Sequence, residues 1–291
     1  MLIAVGSVKG SPGVSTFCLA LAARWPGTGR RVLVECDPAG GDLAARYGLA
    51  LSPGLVSFAA ARRGAQAETG APMGSVWWHT QVLPGGLSVL VAPPGGEQTR
   101  AALASLAAAG EHPLAQAAVD PAVVIADCGR LDAGSAALSL VRAADQVLLL
   151  NDATAGGLAH LSARLEEVTG WSEQVGLLLV GEGYPDAEVA RELGVPVMAR
   201  IPRDPVQAAV LSGRTPPRSR LFPRATLSRA AVEIATVLAT SQPLRSRSAV
   251  SPEDAHAGDA DSPAVDGQNF PAATGPAMIA VPSQPLNGRR A

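Results

Sequence analysis

The residues with the clearest chemical potential are Lys9 to Thr16, which read Lys-Gly-Ser-Pro-Gly-Val-Ser-Thr. They separate a predicted strand, 2–8, from a predicted apolar helix, 15–24. A strand, a glycine-containing loop and a helix in this order direct backbone N–H groups and the positive end of the helix dipole toward one point. That arrangement binds phosphate, and Ser15 at the helix start is placed to ligate Mg²⁺ or to cap the helix.

Lys9 is the only lysine among the 23 basic residues of the chain, and all the others are arginine. A lysine ammonium is a compact, flexible point charge, whereas a guanidinium is a planar fork. The position of Lys9 at the head of the loop favours a role at phosphate over a chance occurrence.

These residues resemble the deviant Walker A motif, K-G-G-x-G-K-[ST]-[ST], of the ParA/MinD family of P-loop ATPases. The positions that match are Lys9, Gly10, Gly13, Ser15 and Thr16. The resemblance implies that ATP lies over the whole loop, in contact with Lys9, Gly10, Ser11, Pro12, Gly13, Val14, Ser15 and Thr16. It also implies that Lys9 acts catalytically, reaching a partner chain's phosphates across a nucleotide-sandwich dimer.

The loop departs from the family motif at two positions. Ser11 replaces a glycine, which is a mild change, and Val14 replaces the P-loop lysine, which is a severe one. Losing one charge-assisted hydrogen bond costs about 1.5–3 kcal/mol, or tenfold to a hundredfold in affinity. Backbone amides, Mg²⁺ and Lys9 could still hold ATP. The sequence therefore leaves open whether the protein is a weak ATPase or a pseudo-ATPase.

Further segments match the family in the same order along the chain. Glu35 to Gly40 resembles its D-x-D-P-x-G segment, which implies that Glu35 and Asp37 lie near Mg²⁺ and the attacking water, with Asp37 catalytic. The strand at 123–125 and Asp127 resemble the Walker B segment, and Pro202 falls where the family flanks the base. The Mg²⁺ site implied by the resemblance comprises Ser15, Asp37 and Asp127. The simpler interpretation of each aspartate is a turn or strand-end cap.

Composition excludes several classes of protein. With 291 residues, 47% of them hydrophobic, and a net charge of −2, the chain is long and apolar enough for a buried core and is not a dedicated nucleic-acid binder. Its three cysteines form no C-x-x-C pair, which argues against zinc or iron–sulfur sites. The start lacks a basic region, and no apolar run approaches the roughly 18 residues of a membrane span. We expect a soluble, cytoplasmic protein.

Nearly continuous apolar runs alternate with Ala-rich helical stretches. This pattern predicts a doubly wound α/β fold, with a mainly parallel sheet and helices on both faces. The predicted strands are 2–8, 31–35, 87–91, 123–127, 146–150, 175–180 and 195–201. The predicted helices are 15–24, 100–109, 133–144, 157–169, 186–193 and 225–240. The weakly periodic segment 52–81 contains Trp77 and Trp78, of which we expect one in the core and one at its edge.

Composition shifts after about residue 240. The segment 241–291 has seven prolines and one aromatic residue, Phe270. It has too little apolar surface to offset its ordering entropy, so we expect a disordered tail after a single domain at 1–240.

A basic stretch precedes the last predicted helix, with no acidic residue inside it. It contains Arg214, Arg218, Arg220, Arg224 and Arg229. A solvated face is the simpler interpretation, and contact with DNA phosphates or an anionic membrane is the alternative.

The resemblance implies a ParA/MinD-like spatial-positioning or assembly-regulating protein with a degenerate ATP site. Such a protein would form a nucleotide-linked homodimer and recruit a protein partner in pilus or secretion assembly, septum siting or partitioning. Within the family, the Tad/Flp pilus localisation group is favoured by analogy alone. The alternative is a nucleotide-free scaffold that acts purely through protein–protein contacts.

Overall fold

The computed structural model describes residues 1–10, 12–65, 74–109, 111–119, 121–215 and 225–240. The described residues belong to one compact unit. Ser11, the predicted tail at 241–291 and three residues of the basic stretch, Arg218, Arg220 and Arg224, lie outside them.

An eight-stranded sheet forms the centre of the molecule. In chain order its strands are β1 (Leu2–Ser7), β2 (Arg31–Glu35), β3 (Gln81–Val82), β4 (Ser88–Leu90), β5 (Val123–Arg130), β6 (Gln146–Asp152), β7 (Val175–Val180) and β8 (Val197–Ile201). Their spatial order is β3-β4-β2-β5-β1-β6-β7-β8, and every pairing is parallel except that of β3 with β4. The three strands that precede the predicted site segments, β2, β5 and β1, are therefore adjacent.

Helices cover both faces of this sheet. They are α1 (Val14–Arg24), α2 (Leu43–Tyr47), α3 (Leu55–Ala65), α4 (Gly96–Ala107), α5 (Pro113–Ala117), α6 (Leu138–Ala143), α7 (Ala155–Ser162), α8 (Leu165–Thr169), α9 (Asp186–Leu193), α10 (Pro205–Leu211) and α11 (Thr226–Thr240). None of the helices in the described part of the chain is both long and apolar enough to cross a membrane.

The strands are buried on both faces, as their continuous apolar sequence predicts. In β1, Leu2 and Ala4 enter one core layer, whereas Ile3 and Val5 enter the other. The first layer lies under α3 to α9, and the second lies under α1 and α11. The doubly wound α/β fold and the mainly parallel sheet are thus confirmed.

The structure corrects several predicted elements. The helix predicted at 157–169 is divided into α7 and α8, and α6 begins at Leu138 rather than near 133. Helix α3 occupies part of the segment that showed weak periodicity, and β3 is a two-residue edge strand that gave no sequence signal. Short or interrupted elements depend on tertiary contacts, which a local periodicity cannot reveal.

Trp77 and Trp78 differ in burial, largely as expected. Trp77 packs against the core, and the Arg30 guanidinium lies 4.2 Å from the centre of its ring. Trp78 is 68% exposed. One member of the pair is therefore a core side chain, and the other is open to solvent.

Candidate functional site

The loop between β1 and α1 is open toward solvent. Gly10 and Gly13 have φ values of 72° and 98°, a left-handed conformation that glycine adopts without strain. A Cβ added at either glycine would meet no atom within 4 Å, so both face free space. Gly13 is the N-cap residue of α1 and has no side chain that could accept a hydrogen bond. The first N–H groups of a helix have no intrahelical partner, so those of α1 remain available. The loop thus presents backbone donors to an anion.

A cavity of about 820 Å³ lies over this loop. Gly10, Gly13, Val14, Ser15 and Thr16 line it together with Asp37 and residues that follow β5. Lys9 is exposed and is not among the residues that line the cavity. Within one chain, the only ammonium side chain therefore lies outside the space where phosphate would bind.

Val14 both lines the cavity and belongs to the core layer beneath α1, with 6% of its surface exposed. Its methyl groups offer no hydrogen bond to a ligand. The position where the matching motif has a lysine is therefore apolar and packed.

Asp127 lies below the loop, close to Ser15. The Gly129 backbone N–H donates to Asp127 Oδ1 at 3.1 Å. Asp127 is 4% exposed, and burial raises its pKa to about 6, although the Gly129 N–H and the nearby Ser15 hydroxyl lower it. A carboxylate held this way is stabilised further by a nearby cation.

Asp37 stands at the cavity wall, in a tight turn after β2. Its Oδ1 accepts the Ala39 backbone N–H at 2.8 Å, and burial raises the pKa of the carboxyl group. A Cβ at Gly129 would lie 1.9 Å from Asp37 Oδ2, so glycine at 129 permits the close approach of β5 to this carboxylate. The fold therefore brings Ser15, Asp37 and Asp127 into one region.

The surroundings of Glu35 differ from the expectation that its carboxylate lies near Mg²⁺ and the attacking water. Its Oε1 accepts the backbone N–H groups of Asp42 and Leu43 at 2.7 and 2.8 Å, and its Oε2 accepts that of Ala92 at 2.9 Å. It is 4% exposed and is not among the residues that line the cavity. Both oxygens are therefore used to join β2 to the start of α2 and the end of β4.

Within the described part of the chain, three arginines also line the cavity, and sequence reasoning did not identify them. They are Arg46, Arg100 and Arg130. Each comes from a different segment, after β2, in α4 and at the end of β5, so no local motif signals them.

Sequence reasoning also did not identify Arg164, which lies at the break between α7 and α8. Its Nη1 donates to Leu131 O at 2.8 Å and to Val8 O at 3.4 Å. Its Nε and Nη2 donate to the Glu167 carboxylate at 3.0 and 2.9 Å. One guanidinium therefore connects the backbone just before Lys9 with the loop after β5.

Pro202 lies at a second cavity, of about 340 Å³, that shares Gly13 and Thr16 with the first. Pro12, Phe17 and Leu150 contribute apolar surface there. The Arg203 guanidinium, which also lines this cavity, pairs with Asp152 at 2.6 Å. An apolar space beside a phosphate-type loop suits the flat ring of a nucleobase.

The residues present fit a nucleotide with Mg²⁺. The glycine cradle is open, the helix terminus offers free donors, and the Ser15 hydroxyl lies close to a buried carboxylate. Among the described residues, no three His, Cys, Asp or Glu side chains could hold a metal ion by themselves. Mg²⁺ usually takes one or two carboxylates together with phosphate oxygens, and the Asp37 carboxylate lines the cavity.

The basic stretch is only partly described. Arg214 Nε donates to Ser212 Oγ at 2.8 Å, and Arg229 lies in α11, whose other side packs on α1. Helix α11, predicted at 225–240, packs in the core, because Leu227, Ile234 and Leu238 are buried.

No protein-family model and no curated protein sequence matches this chain. Solved structures match its fold. A ParA family ATPase from Chlorobium tepidum is 17% identical over 81% of this chain and 98% of its own, with a TM-score of 0.61. The septum site-determining protein MinD from Pyrococcus horikoshii, in complex with Mg-ADP, is 17% identical over 81% of this chain and 95% of its own, with a TM-score of 0.61.

The MinC:MinD cell division complex from Aquifex aeolicus also matches. The matched chain is 15% identical over 84% of this chain and 98% of its own, with a TM-score of 0.57. Together with the strand order and the loop after β1, these likenesses show that the protein has the ParA/MinD-like P-loop fold.

Proposed function

We propose that the protein is a nucleotide-dependent positioning or assembly-regulating protein that binds ATP with Mg²⁺ and hydrolyses it slowly or not at all. The observation that carries the proposal is the open cavity over the loop, which Ser15 and Asp37 line, with the buried Asp127 carboxylate close to Ser15. The ParA/MinD-like fold supports the same conclusion, since one solved relative contains Mg-ADP.

In this proposal each group of the chain has a distinct task. Backbone N–H groups of the loop hold the phosphates, and Ser15, Asp37 and Asp127 hold Mg²⁺. When bound, Mg²⁺ neutralises part of the phosphate charge. Asp37 is the residue placed to orient a water molecule, and Pro202 covers the base. Val14 offers no charge to the transition state, which is the reason for slow hydrolysis.

The proposal extends to partners. Lys9 is exposed beside the cavity, where a second copy of the chain placed face to face could use it. A solved MinD relative is in complex with MinC, which supports recruitment of a protein partner by a nucleotide-linked dimer. We place the protein with the pilus or secretion-assembly regulators of the Tad/Flp type, in the cytoplasm, with 1–240 as the working domain and 241–291 as its tail.

Replacing Val14 tests this function. We expect wild type to bind a fluorescent ATP analogue with Mg²⁺ below millimolar concentration, and Val14→Lys to bind it ten- to a hundredfold more tightly. The reason is that one charge-assisted hydrogen bond contributes about 1.5–3 kcal/mol. Equilibrium fluorescence titration measures both affinities. Val14→Ile, which keeps an apolar side chain in the same packing, serves as the control and should match wild type.

A nucleotide-free scaffold is the second candidate. The packed, apolar Val14 and the position of Lys9 outside the cavity favour it, because a single chain then offers no lysine to phosphate. Wild type that binds no analogue at millimolar concentration supports the scaffold and contradicts the ATP proposal. Salt-sensitive retention on DNA or anionic vesicles would instead assign the function to the basic stretch.

A further inference from the structure

The charges that line the main cavity leave one arginine without an acidic partner. Among the described residues, the ionisable side chains there are Arg46, Arg100, Arg130, Asp37, Asp42 and Asp132. Arg46 Nη2 lies 2.6 Å from Asp42 Oδ2, and Arg130 Nη2 lies 3.9 Å from Asp132 Oδ2. Within the described part of the chain, no carboxylate lies within 4 Å of Arg100, whose Nη1 donates to Pro38 O at 3.1 Å.

Arg100 is held at the cavity wall by the way α4 begins. Gly96, the first residue of α4, has no side chain, and a Cβ there would lie 2.1 Å from Arg100 Nη1 and 2.4 Å from Pro38 O. The helix therefore approaches the turn that follows Asp37, and the guanidinium lies across this contact. Since Pro38 O takes one N–H of the fork, the remaining donors are free to bind another acceptor.

Because residue 14 is a valine, a positively charged donor to phosphate must come from outside the loop. The loop itself contributes backbone N–H groups but no cationic side chain to the cavity, because Val14 is apolar and Lys9 lies outside. Asp37 adds a negative charge on the same wall. A polyphosphate in this cavity would thus lack a side-chain countercharge from the loop.

We propose that Arg100 supplies, from within the same chain, the positive charge to bound polyphosphate that Val14 cannot supply. The ligand class is a nucleoside di- or triphosphate, and Arg100 acts as a binding residue. This inference rests on the proposed function, because it assigns a further residue to the same site.

Neutralising Arg100 tests the inference directly. Arg100→Gln keeps a side chain that can still donate to Pro38 O but removes the charge. We expect it to weaken binding of MgATP about tenfold or more, since a hydrogen bond to a charged group is lost, and to leave AMP binding within threefold of wild type. Competition of ATP, ADP and AMP against a fluorescent ATP analogue gives the affinities.

The matched control is Arg63→Gln. Arg63 is also an exposed helical arginine that donates to a neutral oxygen, Ser105 Oγ at 3.3 Å, but it does not line the cavity. The Arg63→Gln variant should bind ATP as tightly as wild type does. Thermal unfolding of both ligand-free variants, expected to match wild type, separates a binding defect from a folding defect.

A double-mutant cycle with Val14→Lys tests whether Arg100 performs the phosphate-binding function of the P-loop lysine that this chain lacks. If Arg100 replaces the missing lysine, Arg100→Gln should cost clearly less in the Val14→Lys background than in wild type. Equal losses in both backgrounds contradict the replacement of one cation by the other.

These measurements distinguish an error in the role of Arg100 from an error in the proposed nucleotide binding. If wild type binds ATP and Arg100→Gln binds it within threefold as tightly, the inference is wrong and the proposed function stands. If the folded wild type binds no nucleotide at millimolar concentration, both are wrong. An equal loss of ATP and AMP binding in Arg100→Gln also overturns the inference, since the arginine then does not act on the added phosphates.

Discussion

Glu35 and Asp37 lie two residues apart, yet their carboxylates have different surroundings. Asp37 faces the cavity, whereas both oxygens of Glu35 accept backbone N–H groups from two other segments. The difference arises because Glu35 still belongs to β2, which is buried on both faces, and Asp37 lies in the turn beyond it. Of two acidic residues in one motif, only Asp37 lines the cavity.

We therefore expect Glu35→Gln to impair folding and not nucleotide contact. Glutamine keeps one accepting oxygen but has an NH₂ group, which cannot accept, in place of the other, so at least one buried N–H, such as that of Ala92, loses its partner. A buried unsatisfied donor costs about 1–3 kcal/mol, and urea unfolding measures the decrease in the free energy of unfolding. Unchanged stability combined with lost ATP binding would instead place Glu35 in the site.

At the scale of elements, short helices owe their positions to caps and tertiary contacts. Helix α5 has only five residues and begins with Pro113 after His112, whose Nδ1 accepts the Leu114 N–H at 3.3 Å. The Nε2 of His112 is buried and has no hydrogen-bond partner among the residues that the structure describes. Burial lowers the pKa of His112 to about 4, so the imidazole stays neutral while it caps the helix.

This cap predicts a pH dependence of stability. The unfolded chain binds a proton at His112 near pH 6.5, whereas the folded chain does so only near pH 4. The stability that this residue contributes is therefore present above pH 6.5 and decreases as the pH falls toward 4, by up to about 3 kcal/mol. His112→Asn keeps a capping acceptor without the titration.

Urea unfolding of wild type and His112→Asn between pH 7.5 and 4.5 measures this contribution. The difference in the free energy of unfolding should shift in favour of the variant as the pH falls. A difference that is constant with pH would show that His112 does not titrate as proposed.

At the scale of the whole molecule, the sheet order determines which loops meet. Strands β2, β5 and β1 are neighbours, and Asp127 is in register with both Glu35 and Val5. The turns and loops at the carboxyl ends of these strands thus converge where open parallel sheets bind ligands. Lys9 is exposed next to Gly10, which lines the resulting cavity, so a second copy of the chain could contact it there.

Lys9→Ala tests whether a second copy does so. If Lys9 crosses the interface, nucleotide-dependent dimerisation should weaken about ten- to a hundredfold, because a charge-assisted hydrogen bond to the partner's phosphates is lost. Light scattering after size exclusion, with MgATP present, gives the dimer fraction at each protein concentration. Arg191→Ala, at an exposed arginine of α9 that lines neither cavity, is the control and should dimerise as wild type does.

A wild-type protein that stays monomeric with saturating MgATP would contradict the proposed dimer. Equal dimerisation of Lys9→Ala and wild type would retain the dimer and remove Lys9 from its interface.

The sequence by itself determined the fold class, most of the strands and the phosphate-type loop. Continuous apolar runs and a glycine-containing strand–helix turn are local features, and local features are visible along the chain. It also predicted Ser15, Asp37 and Asp127 as site residues, from their positions in motifs that follow β1 and β2 or lie in β5.

Only the tertiary structure decided which of these groups share a space. Arg100, Arg130 and Arg164 come from separate segments, and each is placed by packing between elements far apart in sequence. The same packing turned Glu35 toward backbone amides, divided the helix at 157–169 and left Lys9 outside the cavity. Side-chain direction and long-range contact depend on the whole arrangement of strands and helices, which no short stretch of sequence contains.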